Sequence, residues 1–301
     1  MLALRYHQFG GPEVMVVEDA PEPHASANQV RVAVQAASVN PFDCKLRAGY
    51  LAEVVPTTFP VIPGTDAAGV VDEVGEGIEG VAVGDEVFGL GSATSAQFAV
   101  LDHVAGKPEA MSFAQAAALG LAVETAARTL DRLVLRNGDT LLIDGAAGGV
   151  GSAMVQLARL RGLRVIGTAS QKRHDYLRSL GATPTTYGPG LDERVAALAP
   201  GGVAAAVDVV GLGSVPALIG ITGEPGRVAT VADFTAYALG VHVADTSAGR
   251  ADYALAEAAR LFTEGAFAIH VQQTFALADG PQAHRLSEQG HVQGKIVLTV
   301  P

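Results

Sequence analysis

Leu141-Leu142-Ile143-Asp144-Gly145-Ala146-Ala147-Gly148-Gly149-Val150-Gly151 decides the fold. Its first residues suit a buried parallel strand, and the amphipathic run from about Ser152 to Arg161 suits a helix. The glycines between them make a tight turn. A helix that opens on such a turn presents unpaired N–H groups and the positive end of its dipole, which together favour a phosphate. The dinucleotide fingerprint asks for three glycines: one for the turn, one for backbone approach to a pyrophosphate and one for helix–strand contact. Here Gly148 and Gly151 keep the second and third, and Ala146 replaces the first. The motif alone is also compatible with a glycine-rich turn that binds nothing. Its context favours the phosphate, through Ala147, Gly148, Gly149 and Val150.

Downstream, strand and helix patterns alternate. Strands are expected at Arg164–Thr168, near Thr185–Tyr187, at Ala204–Val210, Gly226–Val231 and Val241–Val243. Helices are expected at Gln171–Leu180, Leu191–Leu198, Ser214–Ile219 and about Arg250–Glu264. This spacing predicts a doubly wound parallel sheet. Upstream, residues 1 to about 108 read as a small antiparallel, barrel-like β-domain. Val30–Ala36 alternates apolar and polar, and a short helix lies near Phe42–Gly49. Ser112 is an expected N-cap for Phe113–Leu119, with a second helix from about Val123 to Leu135. The last strands and helix, Gln273–Leu277, Gly280–Gln289 and Gly294–Thr299, return to the first domain or bridge the two.

The bulk properties narrow the function. A net charge of −11 over 301 residues, without a lysine–arginine run, argues against a nucleic-acid partner held by phosphate contacts. One cysteine, Cys44, excludes an intrachain disulfide and a multi-cysteine zinc site. The eight histidines are scattered and none pairs at i, i+4. The N-terminus has no apolar signal core and no stretch is long enough to span a membrane, so a cytoplasmic protein is expected.

A nicotinamide dinucleotide is distinguished at the ribose. An NAD site places Asp or Glu about 20 residues after the turn. This chain has Thr168-Ala169-Ser170-Gln171-Lys172-Arg173 there, with no carboxylate. A hydroxyl and two cations suit a dianionic 2′-phosphate, so Ser170, Lys172 and Arg173 predict NADPH over NADH. Val210, Gly211, Val231 and Ala232 end two parallel strands at their carboxyl side, where ligands bind in such sheets. They are candidates for the nicotinamide ribose and ring. Tyr187 and Lys295 are further cofactor candidates, Lys295 as a phosphate contact.

Five segments carry a resemblance: Ser38–Asp43, Phe59–Val71, Val83–Gly89, Gly145–Gly151 and Gly294–Leu298. Together they resemble the medium-chain dehydrogenase/reductase superfamily, in its zinc-free quinone oxidoreductase (zeta-crystallin-like) group. The resemblance implies a GroES-like β-barrel catalytic domain, residues 1–120 and 268–301, interrupted by a Rossmann NADPH-binding domain, residues 121–267. Alanine for the first fingerprint glycine is usual in that group. The zinc-dependent alcohol dehydrogenases of the superfamily resemble the chain too, but they carry zinc ligands where Asn40 and Thr65 stand. The expectation is therefore no metal, and hydride transfer from NADPH to a quinone. The alternatives are an enone or alkenal acceptor, or an NADPH-binding sensor or structural protein with vestigial activity.

The resemblance places Asn40 near the nicotinamide and the substrate carbonyl, where an amide N–H is a partner for a developing oxyanion. Tyr50 either donates a proton or stacks on a flat ring. Thr125 is the nearest hydroxyl in one register of the unusual segment Leu121–Ala126. Asp43 is expected to cap the short helix and Asp66 to be a buried, hydrogen-bonded carboxylate. A homodimer through the edge strand near Val241–Val243 completes the reading.

Overall fold

A computed structural model describes residues 1–247 and 249–301. In chain order its elements are β1 (Leu2–Tyr6), β2 (Met15–Asp19), β3 (Val30–Val39), α1 (Pro41–Arg47), β4 (Asp66–Val74), β5 (Glu86–Ser92), β6 (Phe98–Gly106) and α2 (Phe113–Asp131). The alternating part follows with β7 (Thr140–Asp144), α3 (Gly149–Leu160), β8 (Arg164–Thr168), α4 (His174–Ser179), β9 (Thr183–Thr185), α5 (Leu191–Leu198), β10 (Ala205–Asp208), α6 (Val215–Thr222), β11 (Val228–Thr230) and β12 (His242–Val243). The chain ends with α7 (Tyr253–Thr263), β13 (Val271–Ala276), α8 (Gly280–Glu288) and β14 (Lys295–Thr299). The elements group into two units, Met1–Leu121 with Leu255–Pro301, and Ala122–Ala254.

The first unit contains a six-stranded sheet in the order β13-β14-β3-β4-β5-β6. β3 also pairs with β6, so four of its strands close on one another as a small barrel. The interior is filled by the inward residues of the alternating strands, among them Val30, Val32, Val34, Val71 and Leu101, with Ile296 and Leu298 from β14. β3 is long enough for two tasks. Its first residues close the barrel, and Ala36–Val39 receive β14 in antiparallel register. The strand pairs within residues 1–108 are antiparallel as expected, and the returning strands β13 and β14 run parallel to each other, with α8 as the crossover between them.

The second unit holds a parallel sheet in the order β12-β11-β10-β7-β8-β9. Leu142, Ile166, Ala206 and Val228 supply its core on one face. The near-continuous apolar strands follow from burial on both faces. β9 ends at Thr185, two residues before the expected boundary, because Thr168 pairs with Thr185 and leaves Tyr187 exposed. The expected helix Gln171–Leu180 starts as a 3₁₀ turn over Gln171–Arg173 before becoming α4.

The two helices expected on either side of Gly120 are a single one, α2. Ser112 caps it reciprocally with Gln115: Ser112 Oγ accepts from Gln115 N at 3.2 Å, and Gln115 Oε1 accepts from Ser112 N at 3.1 Å. Gly120 serves close approach rather than termination. A Cβ there would stand 2.8 Å from Asp66 Cβ and 3.0 Å from the Gly89 carbonyl oxygen. Among the described residues no helix is long and apolar enough to cross a membrane.

Candidate active site

In the first unit β3 ends in a helix start, and this junction builds a closed polar cluster. Asn40 is the N-cap of α1, and Asp43 Oδ2 accepts from the Asn40 backbone N–H at 2.9 Å, completing a capping box. Asp43 is fully buried. Burial pushes its carboxyl up to about 6, with the nearby Asp66 charge adding to the rise while the Asn40 hydrogen bond and Lys295 oppose it. Asp66 is also fully buried. It accepts from Ser38 Oγ, from Asn40 Nδ2 at 2.8 Å and from the Leu121 N–H at 2.9 Å.

Lys295 enters this cluster from β14. Its ammonium donates to Asn40 Oδ1 and lies 3.6 Å from Asp66 Oδ2. The orientation of the Asn40 amide follows from the chemistry of its neighbours. An ammonium can only donate and an ionised carboxylate can only accept, so Oδ1 faces Lys295 and Nδ2 faces Asp66. Nδ2 also donates to Ser38 Oγ at 3.2 Å. Both amide hydrogens of Asn40 are thereby committed inside the protein. The Lys295 charge is engaged within the first unit, by Asn40 and Asp66. A zinc ion does not suit this donor set, because an ammonium stands among the carboxylates and the Thr65 hydroxyl is turned to Asp43 at 3.4 Å. Tyr50 stands apart from the cluster on the turn after α1 and is 80 % exposed.

Behind α1, Cys44 Sγ lies 3.4 Å from His284 Nδ1. Burial pushes the thiol up to about 12 and the imidazole down to about 3, so both are neutral and the pair is not a thiolate nucleophile.

In the second unit the glycine turn has the form its sequence requires. Gly148 caps α3, and the amides of Gly149 and Val150 belong to the first turn, whose N–H groups no helix satisfies internally. Ala147 is buried beneath the turn. A Cβ on Gly148 would meet only the Gly145 carbonyl oxygen at 3.7 Å, so open space remains above it. A Cβ on Gly151 would lie 2.4 Å from the same oxygen, which is the close helix–strand contact of the third fingerprint position.

At the end of β8, Ser170 Oγ is buried and has no hydrogen-bond partner among the described residues. Lys172 is exposed and Arg173 half-buried, and no described carboxylate forms an ion pair with either. Partial burial lowers Arg173, while Tyr176 and Tyr187 act on it electrostatically in the opposite sense. Ser170, Lys172, Arg173 and Tyr187 therefore gather at one corner of the sheet. Val210, Gly211, Val231 and Ala232 gather at another: Gly211 has φ +74°, and a Cβ there would lie 2.7 Å from the Ala232 carbonyl oxygen. Val231 N donates to the Asp208 carbonyl oxygen at 3.0 Å.

Thr125 is buried and its hydroxyl donates to Glu124 Oε2 at 3.4 Å. Glu124 is the unusual residue of this segment. It is fully buried, pairs with Arg128 Nε at 2.7 Å and accepts from the Ala251 N–H at 3.2 Å. Arg128 in turn donates to the carbonyl oxygens of Ala244 and Asp245. Sequence reasoning missed this strap, although a Glu and an Arg at i, i+4 on an otherwise apolar helix are its signal. Among the described residues no group of three or more His, Cys, Asp or Glu is placed to hold a metal ion.

The chain and its fold match known proteins. A family described as the alcohol dehydrogenase GroES-like domain matches residues 26–127, and one described as zinc-binding dehydrogenase matches residues 180–298. The solved quinone oxidoreductase of Coxiella burnetii superposes with a TM-score of 0.85 at 30 % identity, covering 100 % of this chain and 99 % of that one. The chain belongs to the medium-chain dehydrogenase/reductase superfamily, a superfamily of oxidoreductases that use nicotinamide dinucleotides. Its likeness within that superfamily is to quinone oxidoreductases, such as the rat protein, 38 % identical over 178 residues, which are 57 % of this chain and 54 % of the rat chain. The chloroplastic NADPH-dependent alkenal/one oxidoreductase of Arabidopsis thaliana is 36 % identical over 197 residues, 60 % of this chain and 51 % of that protein. The aligned stretch spans about half the length of these curated relatives.

Proposed function

We propose that this chain is an NADPH-dependent reductase that delivers hydride to a quinone-type acceptor. In this reading residues 1–120 and 268–301 form the catalytic domain and residues 121–267 hold the nucleotide. The observation that carries the proposal is the buried, unpartnered Ser170 hydroxyl beside the carboxylate-free cations Lys172 and Arg173. A buried hydroxyl left without a partner costs about 1–3 kcal/mol. A ribose 2′-phosphate would satisfy it and both cations. An NADH ribose would leave the cations unused.

The residues present fit the nucleotide. The first-turn amides of α3 would hold its pyrophosphate, with room above Gly148. The loops at Val210–Gly211 and Val231–Ala232 would take the nicotinamide ribose and ring. When bound, NADPH supplies a hydride. The chain supplies placement and charge. Lys295 offsets part of the charge of the buried Asp66 and Asp43 carboxylates, so the Asn40 cluster is less negative than its two acids alone would make it. Asn40 and Asp66 hold that ammonium in place. Tyr50, being exposed, stacks on a flat acceptor or gives it a proton. We also place the active form as a homodimer paired through the β12 edge.

A second reading keeps the cofactor and changes the acceptor to an enone or alkenal reduced at C=C, favoured by the alkenal/one oxidoreductase relative. The test is the fall of NADPH absorbance with a panel of small quinones and enones, ranked by kcat/KM. Quinones ranking first supports the proposal, and enones ranking first supports the second reading. Tight NADPH binding without turnover of any acceptor would replace both with a sensor or structural role.

A further inference from the structure

Four buried side chains form a rung across the carboxyl edge of the parallel sheet: Thr230 on β11, Asp208 on β10, Asp144 on β7 and Thr168 on β8. Asp208 and Asp144 are register partners on adjacent strands, and Thr230 is the register partner of Asp208 on the other side. Two neighbouring buried carboxylates would be costly if each lacked donors. Each instead turns to the threonine on its outer side. Thr230 Oγ1 donates to Asp208 Oδ2 at 2.8 Å, and Thr168 Oγ1 donates to Asp144 Oδ1 at 2.5 Å. The arrangement is nearly symmetric about the β7/β10 boundary.

The remaining capacity of the rung goes to loop amides. Asp208 Oδ1 accepts from Val210 N and Gly211 N, both at 2.9 Å. Thr230 Oγ1 accepts from Ala232 N at 3.2 Å and from Asp233 N at 3.0 Å. Thr168 Oγ1 accepts from Gly145 N at 3.0 Å. The inner half, Asp208 with Thr230, therefore ties the loops after β10 and β11 to one another. The outer half, Asp144 with Thr168, ties down the start of the glycine turn. Each half is a chain of hydrogen bonds in which one hydroxyl links a carboxylate to backbone N–H groups. Loss of that hydroxyl strands donors on one side and an acceptor on the other.

We propose that Asp208 and Thr230 are positioning residues for the nicotinamide half of the cofactor, and that Asp144 and Thr168 do the same for its phosphate half. The assignment rests on the NADPH reading above. Neither pair needs to touch the nucleotide: each fixes the backbone that would. The halves are separable, so a single hydroxyl deletion weakens one part of the cofactor and leaves the other.

The test compares Thr230→Val, Thr230→Ser and Thr168→Val in the full-length protein by calorimetric titration. The ligands are NADPH and adenosine 2′,5′-bisphosphate, which lacks the nicotinamide half. Thr230→Val should bind NADPH about tenfold more weakly and the bisphosphate within about twofold of wild type, as expected for one lost hydrogen bond at a loop that only the first ligand uses. Thr230→Ser should restore NADPH binding, and Thr168→Val should weaken both ligands. Equal effects of Thr230→Val on the two ligands, no effect on either, or failure of Thr230→Ser to rescue would overturn the proposal. If Thr230→Val does not fold, hydrogen exchange of the wild type decides. The amides of Val210, Gly211, Ala232 and Asp233 should be protected relative to those of exposed Leu212 and Gly213, and equal exchange would overturn it. Wild-type protein that binds neither ligand would instead refute the NADPH reading itself.

Discussion

The polar cluster of the first unit and the rung of the second are both built on two buried aspartates, and they treat the charge differently. At Asp66 the compensation is a cation: Lys295 lies 3.6 Å away, and Asn40 and Ser38 close the remaining bonds inward. At Asp208 the compensation is neutral, from two backbone amides and a hydroxyl. The first arrangement holds opposite charges against one another in a dry place. The second distributes its bonds over loops and fixes their shape. Burial alone does not tell these apart. The identity of the donors does.

Removing the cation should be the most damaging change. Lys295→Met leaves Asp66 buried beside Asp43 without a counter-charge, and urea unfolding should show a loss of about 3–5 kcal/mol. Lys295→Met combined with Asp66→Asn should recover much of that loss. A single-variant loss below about 1 kcal/mol would mean that the ammonium is not compensating a buried charge.

A second effect belongs to the first unit alone and depends on pH. Burial raises Asp43 from 3.8 to about 6, so the folded state holds a proton that the unfolded chain has already released. Stability from this group is present below about pH 4 and lost as pH rises through about 6, by at most about 3 kcal/mol. Asp43→Asn should abolish that slope, read as the difference from wild type in urea midpoints at low and neutral pH. His284, held at about 3 by burial and by nearby Arg47, gives the opposite slope, losing stability as pH falls below 6.5. It is common to both proteins and cancels in the difference. A pH-independent difference would contradict the assignment.

The rung should respond least. Thr168→Val removes one hydroxyl between a carboxylate and a backbone amide and should cost about 1–2 kcal/mol in the same unfolding experiment. A cost as large as that of Lys295→Met would erase the contrast between cationic and neutral compensation.

The architecture was legible because it is written in periods and turns. The apolar run Leu141–Ile143 and the spacing of Gly148 and Gly151 placed the parallel sheet and its first helix. Gly120 misled because its reason is three-dimensional: it clears Asp66 and Gly89, which are distant in sequence. The gathering of Ser170, Lys172 and Arg173 was readable from position after β8. The inward commitment of Asn40 was not, since it depends on Lys295, 255 residues away along the chain. Asp208 and Thr230 were invisible for a similar reason. Each looks like the ordinary end of a strand until the parallel register sets them side by side.

Whether the corner after β8 selects the 2′-phosphate is decided by titrating NADPH and NADH into wild type and a Lys172→Ala/Arg173→Ala variant. NADPH should bind at least about tenfold tighter than NADH in wild type, with the preference collapsing in the variant through loss of NADPH affinity alone. Equal wild-type affinities, or a preference that survives both substitutions, would contradict it.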